Sequence, residues 1–134
     1  MPATQASSLP LAKKLQLKDA MRGRILGAPE GLDLDVSATP DGPWDWVLAF
    51  VITQADLAAV APQLMTDLVE DGLVWIAYPK KTSRLAADLD RDRGWGPIDA
   101  LGLKGVRQIA INDDWSALRF RELRFVPVRS SPAP

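Results

Sequence analysis

The feature that most constrains this fold is a pair of apolar runs separated by a helical pattern. The first run, Trp44–Ile52, is rich in aromatic and β-branched residues, which is typical of a strand buried on both faces. Apolar residues then recur at helical spacing as far as Leu68, and Thr53 stands at the start as an N-cap. Leu73–Tyr78 is the second buried strand. A strand–helix–strand unit predicts a parallel strand pair joined by a right-handed crossover.

Three features indicate where the helix of this unit begins, where it ends and where it is interrupted. Asp56 follows Thr53 by three residues and predicts a capping box at the helix start. Asp71-Gly72 predicts a stop before the second strand. Pro62 falls inside the pattern and removes one backbone hydrogen bond, so it either kinks one helix or divides two.

Shorter elements flank the central unit. A helical turn is expected to direct the leucines of Leu11–Leu17 inward, and Gly23–Leu26 is predicted to be a strand. The glycines and proline of Gly27–Gly31 predict a tight turn at its carboxyl end. Leu32–Val36 alternates apolar and polar residues, which is typical of a half-buried edge strand. A second helix is expected near Trp95–Leu101.

Two strands at the end of the chain predict a hairpin. Val106–Asn112 and Trp115–Phe125 are joined by Asp113-Asp114, and a two-residue loop pairs Asn112 with Trp115. One face then carries Ile109, Ile111, Ser116, Leu118 and Phe120. The other face carries Val106, Gln108, Ala110, Trp115, Ala117, Arg119 and Arg121.

These elements predict one three-layer-like α/β domain, with a mostly parallel sheet of about five to six strands and a terminal antiparallel hairpin. The domain is expected over residues 11–126, between disordered tails at 1–10 and 127–134. No apolar run approaches the ~20 residues of a membrane helix, no signal peptide is recognised, and cysteine is absent. A cytoplasmic location is therefore expected.

The order of these motifs resembles the distal half of Rossmann-like SAM-dependent methyltransferases, whose last strand is also antiparallel. The chain more closely resembles a family of small bacterial proteins of unknown function. The shared motifs are Pro29–Gly31, Asp71–Leu73, Pro79–Ser83 and the Trp-Ser segment from Asp113 to Phe120. The resemblance covers most of the chain and implies a truncated methyltransferase-like fold without an established activity.

The glycine turn departs from a working SAM site. Gly27 and Gly31 lie four positions apart with a proline between them, and a strand-like segment replaces the helix that should follow. An acidic residue to hold ribose hydroxyls is missing unless Asp33 or Asp35 substitutes. We therefore expect neither SAM-dependent catalysis nor a bound cofactor.

The chain has neither histidine nor cysteine, which excludes Ser-His-Asp and Cys-His triads and thiolate metal sites. Acid–base chemistry would fall to Asp, Glu, Lys or Tyr78. A metal site is not expected at Asp88, Asp90 and Asp92, because Arg91 and Arg93 alternate with them. Enzymatic activity is left open, with binding favoured.

Ligands of open α/β sheets bind at the carboxyl ends of parallel strands. After the second buried strand, Lys80–Arg84 supplies three cations and two hydroxyls, which suit a phosphate or carboxylate. The candidate anion-binding residues are Lys80, Lys81, Ser83, Arg84, Gly27, Glu30 and Gly31. The alternative is a solvated loop that balances an acidic stretch elsewhere.

The hairpin supplies a candidate interface. Trp115, Ala117, Arg119 and Arg121 combine an aromatic ring, two arginines and a small residue, which suits a homodimer or another protein partner. Alternatively, a terminal segment covers this face. The net charge of −1 sums −9 over residues 25–79 with +4 on each side, which is consistent with a polarised surface. The pI of about 5.3 argues against nucleic-acid binding.

The sequence thus favours a non-catalytic binding or protein-interaction module. The alternative is an enzyme or sensor for a nucleotide- or SAM-like anion, bound by the loops Gly27–Gly31 and Lys80–Arg84.

Overall fold

The computed structural model describes residues 11–18, 20–32, 36, 38–90 and 93–126. In these residues a five-stranded sheet is covered by short helices on one face and by the N-terminal segment on the other. The strands are β1 (Gly23–Leu26), β2 (Trp44–Phe50), β3 (Leu68–Pro79), β4 (Leu103–Ala110) and β5 (Trp115–Glu122). The α-helices are α1 (Leu11–Lys14), α2 (Gln54–Val60) and α3 (Gly96–Asp99).

The strand order is β1-β2-β3-β5-β4. Strands β1, β2 and β3 are parallel, whereas β5 runs antiparallel to both of its neighbours. The predicted strand–helix–strand unit is confirmed as β2-α2-β3. The sheet is mixed rather than mostly parallel, because the hairpin adds two antiparallel pairings to the two parallel ones.

The crossover helix is shorter than predicted. It ends at Val60, and a 3-10 turn over Ala61–Gln63 takes in Pro62 near its start, so the proline divides the segment rather than kinking one long helix. Leu68 begins β3, and Asp71-Gly72 lies inside that strand instead of stopping a helix.

A bulge explains the misplaced Asp71-Gly72 signal. The pairing of β2 with β3 steps from Trp44 opposite Leu68 to Trp46 opposite Leu73, so β3 holds extra residues at this point. Asp71 has φ of 56° within the bulge. An Asp-Gly pair therefore marks a local break in the strand here.

The hairpin register differs by one residue from the prediction. Ile109 faces Ala117, and the Asn112 side chain accepts hydrogen bonds from the backbone N–H groups of Asp114 (2.8 Å) and Trp115 (2.9 Å). The loop therefore has three residues instead of two. Because a slip of one residue exchanges the faces of a strand, Ile109 lies with Ala117. Gln108 instead shares the helix-side face with Leu118 and Phe120.

Each face of the sheet has its own core. The helix-side core is formed mainly by Val47, Ala49, Leu57, Leu64, Val74, Ile76, Ile98 and Phe120. The opposite core contains Trp46, Leu48, Trp75, Trp115 and Ala117, and Leu15 lies fully buried over it. The inward packing predicted for Leu11–Leu17 is confirmed.

Some predictions fall outside the described residues. They are the disordered tails 1–10 and 127–134 and the centre of the edge strand Leu32–Val36, whose end residues Leu32 and Val36 pack against the second core. Within the described part of the chain, no helix is long and apolar enough to cross a membrane.

Candidate functional site

The loop after β3 is held against the hairpin turn at the carboxyl edge of the parallel strands. The Lys80 N–H donates to the carbonyl of Asp114 at 2.8 Å. The buried Ser83 hydroxyl donates to the Asp114 carboxylate and accepts from the Leu85 N–H, both at 3.0 Å. The Ser83 hydroxyl, a predicted anion contact, therefore stabilises the conformation of the loop through these two hydrogen bonds.

The seven predicted anion-binding residues do not converge on one cleft. Lys80 and Lys81 line a cleft of about 350 Å³. Gly27 lines a separate cleft of about 490 Å³ that is bounded by Pro29, Ile52 and α2. The remaining candidates, Glu30, Gly31 and Arg84, are exposed. The two loops therefore give two separate sites, and an anion-binding role remains a prediction.

The cleft beside Lys80 has a polar wall contributed by neighbouring strands. Its lining also includes Tyr78, Thr82, Asp90, Gln108 and Ser116. The side-chain amide of Gln108 donates to the buried Tyr78 hydroxyl at 2.8 Å. Asp90 forms an ion pair with Arg93 at 3.6 Å. The two lysines thus line a cleft whose other polar side chains, Gln108, Tyr78 and Asp90, are held in place by a hydrogen bond and an ion pair.

A cleft of about 550 Å³ continues from Gln108 along the same face of the sheet. Its lining is Trp95, Asp99, Gly105, Val106, Arg107, Gln108, Leu118 and Phe120. Because Gln108 lines both clefts, we refer to the two together as the Gln108 groove.

Aromatic rings connect the two halves of the Gln108 groove. Trp95 packs edge to face on Tyr78, with ring centroids 5.6 Å apart, and lies 5.1 Å from Phe120. The Trp95 indole N–H donates to the carbonyl of Asp90 at 2.8 Å, which fixes the orientation of the ring. The predicted hairpin register puts Gln108 on the other face, so the sequence did not point to this groove. The signal that could have corrected the register is Asn112, whose side chain bonds the backbone of the loop.

The predicted interface on the hairpin is covered. Trp115 is 4% exposed and packs edge to face on Phe50 at 5.2 Å, and Ala117 is fully buried. The alternative of a covering terminal segment is the one observed, since Leu15 belongs to the same core. The two residues therefore contribute to the core instead of to an open surface.

The arginines of that face are half-buried and bonded within the chain. Arg119 donates to the Gln16 side chain at 2.9 Å. Arg121 forms two hydrogen bonds with the Asp71 carboxylate, at 2.9 and 2.7 Å. These bonds hold the pKa of Asp71 below its usual value, with a smaller contribution from the charge of Arg119.

Among the residues that the structure describes, no group of three or more acidic side chains is placed to hold a metal ion. In the charged run Asp88–Asp92, the Asp88 carboxylate accepts a hydrogen bond from the backbone N–H of Gln54 at 2.8 Å. This bond connects the segment to the start of α2.

No protein-family model matches the sequence, and no curated protein matches it significantly. Among solved structures, the chain is similar to ribosomal protein L11 methylase from Lactobacillus delbrueckii subsp. bulgaricus, with a TM-score of 0.44 and 17% identity. The match covers 66% of this chain and 46% of that chain, so the present chain spans less than half of its length. A likeness of this degree assigns neither a family nor an activity.

Proposed function

We propose that this chain is a cytoplasmic binding module for a small anionic molecule that carries a flat ring, held in the Gln108 groove. The observation that carries the proposal is the continuity of the groove. One residue, Gln108, lines both a cleft bearing two lysines and a cleft bearing two aromatic rings. A ligand with an anion at one end and a ring at the other would use both.

The lysine end suits a phosphate or carboxylate. Lys80 and Lys81 provide ammonium groups, and Thr82 adds a hydroxyl that can donate to an oxyanion. The loop is held in place by Ser83 and Asp114, so binding needs little additional ordering of the backbone. The ion pair of Asp90 with Arg93 offsets the negative charge of the carboxylate that lines this cleft.

The aromatic end suits a planar ring. Trp95 and Leu118 are partly exposed and offer apolar surface, the ring of Trp95 can stack on a ligand ring while Phe120 supports it from the core, and Gly105 presents bare backbone nearby. Along β5, Phe120 and Ser116 are four residues apart, which corresponds to roughly 13 Å of strand. A mononucleotide likewise carries a flat base at one end and a phosphate at the other.

We propose recognition rather than catalysis. The lysines, hydroxyl and amide are groups that orient a ligand, and the chain has no histidine or cysteine to act as base or nucleophile. The earlier alternative, an anion-binding enzyme or sensor, shares this ligand chemistry. Turnover of the bound ligand would favour the enzyme.

Thermal unfolding with a set of related ligands tests the proposal. We expect AMP at millimolar concentration to raise the Tm more than adenosine, ribose 5-phosphate or inorganic phosphate, because each of these engages one end only. S-adenosylhomocysteine joins its base to a carboxylate that is accompanied by an ammonium group, which the two lysines repel, so it should give a smaller shift than AMP. The absence of any shift with all five compounds would refute a nucleotide-like ligand.

Two variants separate the groove from general charge effects. Lys80→Ala combined with Lys81→Ala should remove the difference between AMP and adenosine. Lys13→Ala combined with Lys104→Ala removes the same two charges at exposed positions outside the groove, so it is the matched control and should preserve the difference. If the control variant loses the difference as well, binding reflects net charge rather than the groove.

The predicted homodimer is a separate question, since the hairpin face proposed for it is covered. Light scattering at high protein concentration would detect it, and a strictly monomeric species would rule it out.

A further inference from the structure

Strand β4 forms one edge of the sheet, and no strand lies on its outer side among the described residues. Five consecutive residues, from Lys104 to Gln108, are exposed. The other edge strand, β1, is covered at its start, because the Thr39 N–H donates to the Gly23 carbonyl at 2.8 Å and the Thr39 hydroxyl accepts from the Gly23 N–H at 3.1 Å. The structure therefore leaves β4 as the edge more open to an added strand.

The backbone groups of β4 that point away from β5 follow from the hydrogen bonds beside the hairpin loop. The Ile111 N–H donates to the Trp115 carbonyl at 2.9 Å. Because residues of an antiparallel pair alternate in direction, the N–H and C=O groups of Gln108 and Ala110 point outward. The Lys14 ammonium group donates to the Ala110 carbonyl at 3.0 Å. Within the described part of the chain, the two N–H groups and the Gln108 carbonyl thus remain available to another strand.

The hairpin face that carries Arg119 holds four cations in two cross-strand pairs. Lys104 lies opposite Arg121, and Arg107 lies opposite Arg119. Like charges directly opposite each other are destabilising. Arg121 is paired with Asp71, whereas the other three form no ion pair with a described residue. The edge positions Lys104 and Arg107 are therefore exposed cations for which carboxylates are the complementary groups.

The other face of the same edge is apolar at its centre. Val106 lies in the bulge of β4, is 41% exposed, and lines the aromatic end of the Gln108 groove together with Trp95 and Leu118. Side chains of a strand alternate between the two faces of a sheet. A strand beside β4 would therefore direct every second side chain toward the cations and the others toward Val106.

We propose that β4 binds an extended acidic segment of another protein as a sixth strand, with carboxylates beside Lys104 and Arg107 and apolar side chains over Val106. Main-chain hydrogen bonds would supply the affinity, and the alternation of side chains would supply the selectivity. A second copy of this chain is disfavoured, because two paired β4 strands would bring four cations together. A lysine and a bulge on an edge strand also act against such self-pairing. The site does not depend on a ligand in the Gln108 groove.

Fluorescence anisotropy with labelled peptides, measured without nucleotide, tests the proposal. The probe is an eight-residue peptide of alternating valine and glutamate. One control peptide replaces each glutamate with lysine, and the other carries methyl groups on its backbone nitrogens, which keeps the charge but removes the N–H donors. Both should bind at least about tenfold more weakly than the probe. Equal binding of the methylated peptide would reduce the interaction to charge and refute strand addition, as would the absence of probe binding at millimolar concentration.

Variants assign the binding to β4. Ala110→Pro removes an outward N–H without removing a hydrogen bond to β5, so it should weaken probe binding by at least about fivefold. Ala110→Ser keeps the N–H and should bind the probe normally. Lys104→Glu should weaken the glutamate peptide and strengthen the lysine peptide, whereas Lys13→Glu, at an exposed position of α1, should change neither.

The charge reversal at Lys104 decides the matter if Ala110→Pro fails to fold. Probe binding that is unchanged in Lys104→Glu or in folded Ala110→Pro would overturn the proposal. Light scattering identifies the remaining occupant, since a dimer that Ala110→Pro dissociates would show that a second copy occupies β4 and that the proposal is wrong.

Discussion

The indole N–H of Trp75 donates a hydrogen bond to the backbone carbonyl of Leu15 at 2.9 Å, and neither residue is exposed to solvent. The two residues are 60 positions apart. A buried indole and a buried carbonyl each need a partner, so this bond fixes the N-terminal segment over the centre of the sheet. The segment completes the core on that face.

Replacing Leu15 with alanine should therefore lower the free energy of unfolding by about 3 kcal/mol, within the usual range for a buried leucine. The loss combines the removed apolar contacts with the cavity left over the tryptophans of the second core. Urea unfolding, followed by tryptophan fluorescence, measures the change. Leu123→Ala is the matched control, since Leu123 is 58% exposed and should lose less than about 0.5 kcal/mol. Equal losses would mean that the segment is only loosely attached.

The central unit could be predicted from sequence because its signals are strong and local. The apolar run that starts at Trp44 and the capping pair Thr53 and Asp56 need no distant partner to be recognised. By contrast, the position of β5 between β3 and β4 depends on pairing across more than 35 residues. The mixed order of the sheet could not be read from local pattern.

The prediction of the candidate site was wrong in one local detail, the length of the hairpin loop. The Asn112 side chain bonds to two backbone N–H groups and lengthens the hairpin loop by one residue. That change puts Gln108 in the groove and Ile109 beside Ala117, whereas Trp115 is buried in the core that the N-terminal segment covers. The Asp71-Gly72 pair predicted a helix stop but lies in a strand bulge, because both structures favour the same residues.

The ion pair between Asp71 and Arg121 should make stability depend on pH. The hydrogen bonds from Arg121 hold the pKa of Asp71 below its usual 3.8. The pair thus contributes fully above the unfolded-state pKa, and its contribution is lost as the pH falls through the folded-state pKa. The stability advantage of the natural protein over Asp71→Asn should be constant near neutral pH and shrink below pH 3.8. Urea unfolding at several pH values measures it.

Asp99→Asn, at an exposed acid of α3, provides the comparison for that experiment. Subtracting its effect removes the general influence of one negative charge. An Asp71→Asn difference that stays constant down to pH 3 would show that the bidentate pair contributes nothing measurable.

The capping box of α2 makes a separate prediction. The Thr53 hydroxyl accepts from the Asp56 N–H at 3.0 Å, while the Asp56 carboxylate accepts from the N–H groups of Ile52 and Thr53. Thr53→Ala should cost about 1 kcal/mol, and Thr53→Ser should retain most of the stability because serine also caps. Thermal or urea unfolding distinguishes the two. Similar losses in both variants would assign the effect to packing of the threonine methyl group rather than to the cap.

Three glycine-to-alanine variants, two in the turn after β1 and one in α3, separate the steric cost of an added Cβ from its conformational cost. Gly27 has φ of +69°, and an added Cβ would lie 2.9 Å from the carbonyl oxygen of Phe50. Gly31 has φ of +81° with nothing within 4 Å, whereas Gly96 has an ordinary φ and open space.

Gly31→Ala should therefore cost about 1 kcal/mol from the left-handed backbone alone. Gly27→Ala should cost at least about 2 kcal/mol because the clash adds to that strain. Gly96→Ala should stay within about 0.5 kcal/mol of the natural protein. Urea midpoints give the order directly, and a Gly27→Ala variant no less stable than Gly31→Ala would show that the turn yields and moves away from β2.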